Sequence, residues 1–504
     1  MRERKFAPRP KLSSPLPPFW LVRCVELTER SRNGIRSEAL REVDVAGHWS
    51  CDVCLLPPES QLHVECKVMA SPAPPKPFGP EETRRLLHRL QTPAVFPDMA
   101  AGWPALLWTA ERLSRCLGDQ VVQFRLGRKE EMNAPLFETQ CSYVEATLEQ
   151  FLSWTRPQTG SRLGPFCEYP SSEYWAYADY KYIALLLQDR PAMFQDVRWS
   201  DFGFEGRDGR ESTLWVGSAR ANTPCHLDSY GCNLVLQVEG RKRWHLFPPE
   251  DTAHLYPTRI PYEESSVFSQ VHVVRPDLSR FPLFRGSRAH EVTLEPGQVD
   301  LWSAQVLFVP RHWWHYVESL DPVTVSINSW IELEADAVER VGEAVAKAVV
   351  CALKSEDDPD DWLNPTEEGV APHRDNMRSL NLALRACDRR DAGGRIRESS
   401  SDSGPPKVPF GPHLVPVRRQ KDAVPPQTTG GQEVTSSGEE APITTNDLLD
   451  CLLHPDVVAR VTELLLQRHT GSDGSAPPPP DAKDTPCTAS PRLLSRPHGQ
   501  EDFG

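Results

Sequence analysis

The stretch Thr223-Pro224-Cys225-His226-Leu227-Asp228, read with Trp313-Trp314-His315, decides the fold and points to the chemistry. Both pieces have the texture of strands. On extended chain, residues i and i+2 share a face, so His226 and Asp228 project together and Leu227 points away. One imidazole and one carboxylate on one face, completed by a distant histidine, form a facial triad. Such a set suits Fe(II) and leaves positions open for a cosubstrate and O2. His315 is the candidate third ligand, and His312 competes for the role. The two are an odd number of residues apart and face opposite ways. Pairing Trp313 and His315 with Val317 puts His315 on an inward, largely apolar face and leaves His312 exposed.

The surrounding residues, 213–330, read mainly as strands and turns. Asn233 to Val238 and Arg241 to Phe247 read as a hairpin across Glu239-Gly240. In the second of these strands Arg241, Arg243 and His245 share one face, and Lys242, Trp244 and Leu246 the other. A lysine on an apolar face is costly unless an anion waits there. A dicarboxylate cosubstrate would meet that need; a snorkelling or edge-strand lysine is the other reading. In the strand Val323 to Trp330, Val323, Val325 and Ile327 share a face opposite Thr324, Ser326, Asn328 and Trp330. That polar row either meets a ligand inside a barrel or faces solvent.

Further out, residues 1–76 form an Arg-, Pro- and Ser-rich leader without periodicity, read as poorly ordered. Cys51, Cys54, His63 and Cys66 within it are either a zinc knuckle or incidental thiols. From residue 77 the texture is that of a folded domain. A helix opens at Pro80 with Leu86, Leu87 and Leu90 at helical spacing, and Pro93 to Phe96 reads as a strand. Ala110 to Leu117 is a helix and Gln120 to Arg125 a strand. Tyr143 to Trp154 is read as helical, and Tyr174 to Tyr182 starts as a strand. Residues 333–354 form an amphipathic helix with Val338, Val341, Val345 and Val349 spaced for a partner surface. Residues 355–443 are read as a disordered linker. Residues 444–468 form a helical island that either docks to a partner or packs back on the domain, and 469–504 form a disordered tail.

Composition bounds the function. The chain has 504 residues, 49 of them Pro, and a formal net charge of −14, which argues against a general nucleic-acid or acidic-membrane binder. No apolar run reaches membrane-spanning length. The 13 Cys lack a regular framework of spacings. They are read as free thiols in a reducing intracellular compartment, the cytoplasm, with the nucleus also open.

Taken together, residues 77–332 resemble the JmjC subgroup of cupins, the double-stranded β-helix oxygenases that use Fe(II) and 2-oxoglutarate. The stretches that carry the resemblance are Thr223 to Asp228, Glu239 to Pro249, Leu255-Tyr256-Pro257, Pro296-Gly297-Gln298 and Phe308 to His315. The chain is similar to the asparaginyl hydroxylases of that family. Through Tyr174 to Tyr180 and the Leu448 to Leu452 island, it is more similar to the members associated with small heat-shock proteins. Residues 1–68 lie outside the resemblance, and Met69 is an internal start candidate. The fold implied is mainly β with flanking helices, a jelly-roll (cupin) JmjC domain with disordered tails. By resemblance His226, Asp228 and His315 hold the iron. Lys242 pairs with the distal carboxylate of 2-oxoglutarate, with Thr223, Tyr174, Asn233 and Asn328 as lesser partners. The resemblance also implies a small heat-shock protein as partner and a protein substrate whose identity the sequence does not carry. The C-terminal helices allow a homodimer. Two functions follow: hydroxylation of a protein side chain, rather than histone demethylation, or a cupin that binds a chaperone without turnover. One departure stands out. Asp300 to Val306 interrupts the family pattern between Val299 and Leu307. An odd number of extra residues inverts strand facing unless they loop out, so they are expected to bulge from the barrel.

Overall fold

The computed structural model describes residues 75–129, 133–156, 163–297, 304–353, 363, 371–392, 408–419 and 444–471. The possible zinc knuckle at Cys51, Cys54, His63 and Cys66, most of the leader and most of the tail lie outside these residues.

Two antiparallel sheets form a jelly-roll. The larger has nine strands and the smaller six. At the centre of the larger sheet, Cys232–Glu239 lies between Val306–Val309 and Thr324–Ile331. In the smaller sheet, Trp314–Ser319 lies between Lys242–Phe247 and Asn222–Asp228. Strand alternation divides the side chains as pleating requires. On the larger sheet, Leu214, Val216, Leu234, Leu236, Val325 and Ile327 join the main core with residues of the N-terminal helices. Val235 and Leu307 from that sheet meet Trp244, Leu246 and Val317 from the other, so this cluster fills the barrel between the sheets. Cys225, Phe247, Trp314 and Tyr316 form a third cluster with Leu255. Among the described residues no helix is long and apolar enough to cross a membrane.

Several expectations are corrected. Cys232–Glu239 and Lys242–Phe247 are not a hairpin, because they belong to opposite sheets. The chain between them turns the corner of the jelly-roll. Gly240 has φ 60°, and a Cβ there would lie 2.2 Å from the Val323 carbonyl oxygen, so only glycine fits. Gln237 Nε2 closes the corner by donating to the carbonyls of Glu239 (2.9 Å) and Gly240 (2.8 Å). Tyr143 does not open a helix. It sits in the strand Ser142–Ala146, paired with Val122–Arg128. The helix begins after it, at Leu148, where Thr147 and Gln150 form a capping box.

The linker reading of 355–443 also gives way in two places. His373–Ala392 is a helix. Its Leu380 and Leu384 pack on Val341 and Val345 of the helix Asp336–Leu353; two buried positions suffice to dock it, so its charged composition hides the contact. Val415–Pro416 pairs with the edge strand Ala94–Phe96, and Val417 enters the barrel cluster. The island packs back on the domain: Leu449 and Leu453 bury against Tyr262, Ala346 and Val350. The face of Asp336–Leu353 read as a partner surface is therefore covered largely by the chain's own C-terminal helices. Finally, not all of Asp300 to Val306 loops out. Its first four residues lie outside the described set, but Ala304 is fully buried and Val306 pairs with both Phe96 and Leu236.

Candidate metal centre

His226 and Asp228 come from the strand Asn222–Asp228, and His315 from the neighbouring strand, directly opposite His226. One ligand atom from each of the three lies within 4.8 Å of the others. The two imidazole centroids are 4.2 Å apart. Each ring is anchored by its Nδ1, His226 on the Pro224 carbonyl at 2.8 Å and His315 on the Trp313 carbonyl at 3.0 Å. A carbonyl accepts only, so Nδ1 carries the proton and Nε2 keeps its lone pair for a metal. Burial, reinforced by the neighbouring His315, pushes His226 down to about 4. It is therefore neutral at pH 7, and its 3.8 Å approach to Asp228 is a contact between two candidate ligands, not an ion pair. Asp228 Oδ2 accepts from Trp330 Nε1 at 3.0 Å, which fixes the carboxylate plane. Trp244 stacks on His315 at 5.8 Å and Phe268 packs on His226 at 5.9 Å. Two imidazoles, each with Nε2 free of its carbonyl anchor, and one carboxylate on neighbouring strands fit a divalent cation with open positions, as Fe(II) requires.

Lys242 lies inside the barrel, 2 % exposed, as strand parity requires. Its Nζ donates to Ser326 Oγ at 2.8 Å and to Tyr177 Oη at 3.1 Å. It sits 5.1 Å from the Tyr177 ring centroid and 6.0 Å from that of Trp215. Among the described residues no carboxylate forms an ion pair with it. Burial pushes its ammonium down to about 7, and the more distant Asp179 only partly opposes this. A buried cation held by hydroxyls and rings is a receptor for an anion.

The remaining predicted residues divide. Thr223 lies near the Tyr177 hydroxyl and so stands beside Lys242. Strand parity alone would put Thr223 and His226 on opposite faces. A register shift opposes Thr223–His226 to Val317–His315, and this bulge brings both inward. Asn328 Nδ2 donates to Asn233 Oδ1 at 2.9 Å, and Trp215 Nε1 donates to Asn328 Oδ1 at 2.8 Å. Tyr174 is elsewhere. Its ring packs on Tyr169 at 5.2 Å and under Arg128 at 5.3 Å. The tyrosine at Lys242 is Tyr177, three residues on and therefore on the other face. Parity along Tyr174–Tyr182 could have separated the two had the inward face been known. The sequence reading also missed Arg125, fully buried, whose Nε donates to Asp179 at 2.6 Å and whose Nη2 donates to the Asn222 carbonyl at 2.9 Å. This pair ties the strand of Tyr177 to that of His226.

Comparison with known proteins agrees with this geometry. The family profile described as "Cupin-like domain" matches residues 80–336. The HSPB1-associated protein 1 homolog of Danio rerio is 54 % identical over 450 residues, covering 78 % of this chain and 98 % of that protein. HSPB1-associated protein 1 of Homo sapiens is 47 % identical over 468 residues, covering 78 % of this chain and 94 % of that protein. Lysine-specific demethylase 8 of Xenopus tropicalis is more distant, 27 % identical over 247 residues, covering 48 % of each chain. With a jelly-roll, an inward His-Asp-His cluster and this extent of similarity, the chain belongs to the cupin-like JmjC domain family.

Proposed function

We propose that this chain is an Fe(II)- and 2-oxoglutarate-dependent oxygenase that hydroxylates a protein side chain, and that it associates with a small heat-shock protein. The observation that carries the first part is Lys242, a buried cation with no carboxylate ion-paired to it among the described residues, in the same barrel as the His226, Asp228 and His315 cluster. His226, Asp228 and His315 would hold the metal. Lys242, with the hydroxyls of Tyr177, Thr223 and Ser326, would hold the distal carboxylate of the cosubstrate. Burial keeps the Tyr177 phenol protonated, so it donates a hydrogen bond there and does not add charge. The Asn233–Asn328 pair, oriented by Trp215, would offer further polar contacts. With iron bound, the centre supplies oxidative decarboxylation of 2-oxoglutarate coupled to hydroxylation of a C–H bond. The protein's part is to hold, orient and keep dry. The chaperone association rests on similarity to relatives named HSPB1-associated protein 1. Association of that kind is common to this reading and to a second one, a cupin that binds a chaperone without turnover.

Succinate formation separates the two. Purified full chain with Fe(II), ascorbate and 2-oxoglutarate is expected to form succinate, and His226→Ala is not. Proteome-wide mass spectrometry of cells carrying either form should reveal a site oxidised by 16 Da (one oxygen atom, roughly the mass change expected for hydroxylation) only with the unmodified chain. Succinate at the level of His226→Ala, with no such site, would leave the binding reading.

A further inference from the structure

On the reading of His226, Asp228 and His315 as metal ligands, we propose that the helix Asp336–Leu353 belongs to the scaffold of that centre. Its carboxylates position the chain beside the two ligand-bearing strands, and Glu343 is the principal positioning residue.

Asp336, Glu339 and Glu343 recur at helical spacing and so share one face of the helix. Val341 and Val345 lie on another, packed on Leu380 and Leu384. The carboxylate face meets two short segments. One, Ser229 to Gly231, directly follows Asp228; the other, Arg311 and His312, shortly precedes His315. Asp336 Oδ1 accepts from the Gly231 N–H at 3.0 Å. Glu343 Oε1 accepts from Ser229 Oγ at 2.9 Å, and its Oε2 accepts from the Ser265 N–H at 2.9 Å. The Ser265 carbonyl in turn accepts from the Ser229 N–H at 2.7 Å, and the next residue, Ser266, pairs with Asp228. Glu339 approaches Arg311 and His312, each at 3.7 Å. His312 Nε2 meets the Ser229 carbonyl at 3.3 Å, so the two segments also touch each other.

Glu343 is 5 % exposed, and Arg259 Nη1 and Nη2 donate to its two oxygens at 2.7 and 2.5 Å. Each carboxylate oxygen thus has two donors, which fixes the plane of the group. A buried ion pair contributes little net stability. The helix is already docked by its apolar side chains, Val341 and Val345 on one side and Ala346 and Val350 on the other. What the pair adds is a fixed acceptor one residue beyond Asp228. Asp228 ends its strand, so the bonds of Ser229 to Glu343 and Ser265 hold the chain where the sheet stops. Groups that orient a metal ligand in this way typically account for about 10–100-fold in metal affinity.

The test is calorimetric titration of the full chain with Mn(II), alongside circular dichroism and the Tm of the metal-free protein. Two double variants remove the buried charges together, so neither leaves a lone ion inside. Arg259→Met/Glu343→Gln keeps an oxygen for the Ser265 N–H and an amide group for Ser229 Oγ, and should bind Mn(II) as the parent does. Arg259→Met/Glu343→Leu keeps similar volume without those bonds. It should stay folded without metal and bind Mn(II) about 10–100-fold more weakly. Parental binding by the Leu form, or equal loss in both forms, would assign Glu343 to packing or charge alone and overturn the proposal. Should the Leu form not fold, Ser229→Ala decides: weaker Mn(II) binding supports the positioning role, and parental binding overturns it. A parent that binds no Mn(II) would remove the metal centre itself, and the positioning role with it.

Discussion

Lys242→Met should make the cosubstrate-free protein more stable and deaf to 2-oxoglutarate. The ammonium of Lys242 falls from 10.5 to about 7 on folding because burial removes its water. At about 1.36 kcal/mol per unit, that depression corresponds to roughly 5 kcal/mol of cost for keeping the charge inside. Below pH 7 both folded and unfolded chains carry the proton, and the penalty is complete. Between about 7 and 10.5 the folded chain releases the proton while the unfolded chain keeps it, so stability rises with pH through that window. Above 10.5 the penalty is gone. Methionine fills similar volume without charge. Replacing a buried ionic group in this way typically gains about 1–4 kcal/mol, or about 2–4 °C of Tm per kcal/mol in a domain of this size. Loss of the bonds to Tyr177 and Ser326 puts the expected gain at the lower end. With Mn(II) present, 2-oxoglutarate should stabilise the parent by about 2.7 kcal/mol at a hundredfold excess over Kd, raising its Tm, and leave the variant unmoved. Scanning calorimetry from pH 6 to about 10, across the titration range of an unperturbed lysine, reads both effects. A variant that is less stable at pH 7 and still responds to 2-oxoglutarate would refute the buried-cation argument and the anion site together.

Three further outcomes are expected. Asp228→Ala should abolish binding of Fe(II) or Mn(II), since only two imidazoles and no carboxylate remain for a dication; elemental analysis showing parental metal content would remove Asp228 from the centre. Trp330→Phe deletes the donor to Asp228 Oδ2 and should weaken Mn(II) binding about 10–100-fold with little change in fold, as measured by calorimetric titration and circular dichroism. Deleting Asp300 to Val306 removes buried Ala304 and the core strand residue Val306, so it should lower the Tm strongly, which a segment that only bulged from the barrel would not do; an unchanged Tm would show that Leu307 can shift to replace them.

What the amino-acid sequence determined was set by local geometry. Alternation along a strand is a property of the backbone, so it put His226 with Asp228, Lys242 with Trp244, and Ser326, Asn328 and Trp330 on common faces before any fold was known. Those faces are the ones the barrel encloses. The jelly-roll class was legible for the same reason, through short alternating strands and the motifs that carry the resemblance. The tertiary structure decided whatever depended on a partner distant in sequence. A tight corner between Cys232–Glu239 and Lys242–Phe247 looks like a hairpin until sheet pairing sends the two strands to opposite sheets. Tyr174 and Tyr177 are chemically alike, and only the approach of Lys242 selects the second. Thr223 joins His226 through a bulge that strand alternation does not announce. The helix His373–Ala392, the strand residues Val415–Pro416 and the C-terminal island look dispensable by composition. Each contributes only a few apolar side chains, and burying them lowers free energy only once Val341, Val345, Tyr262 and the edge strand Ala94–Phe96 are in place to receive them.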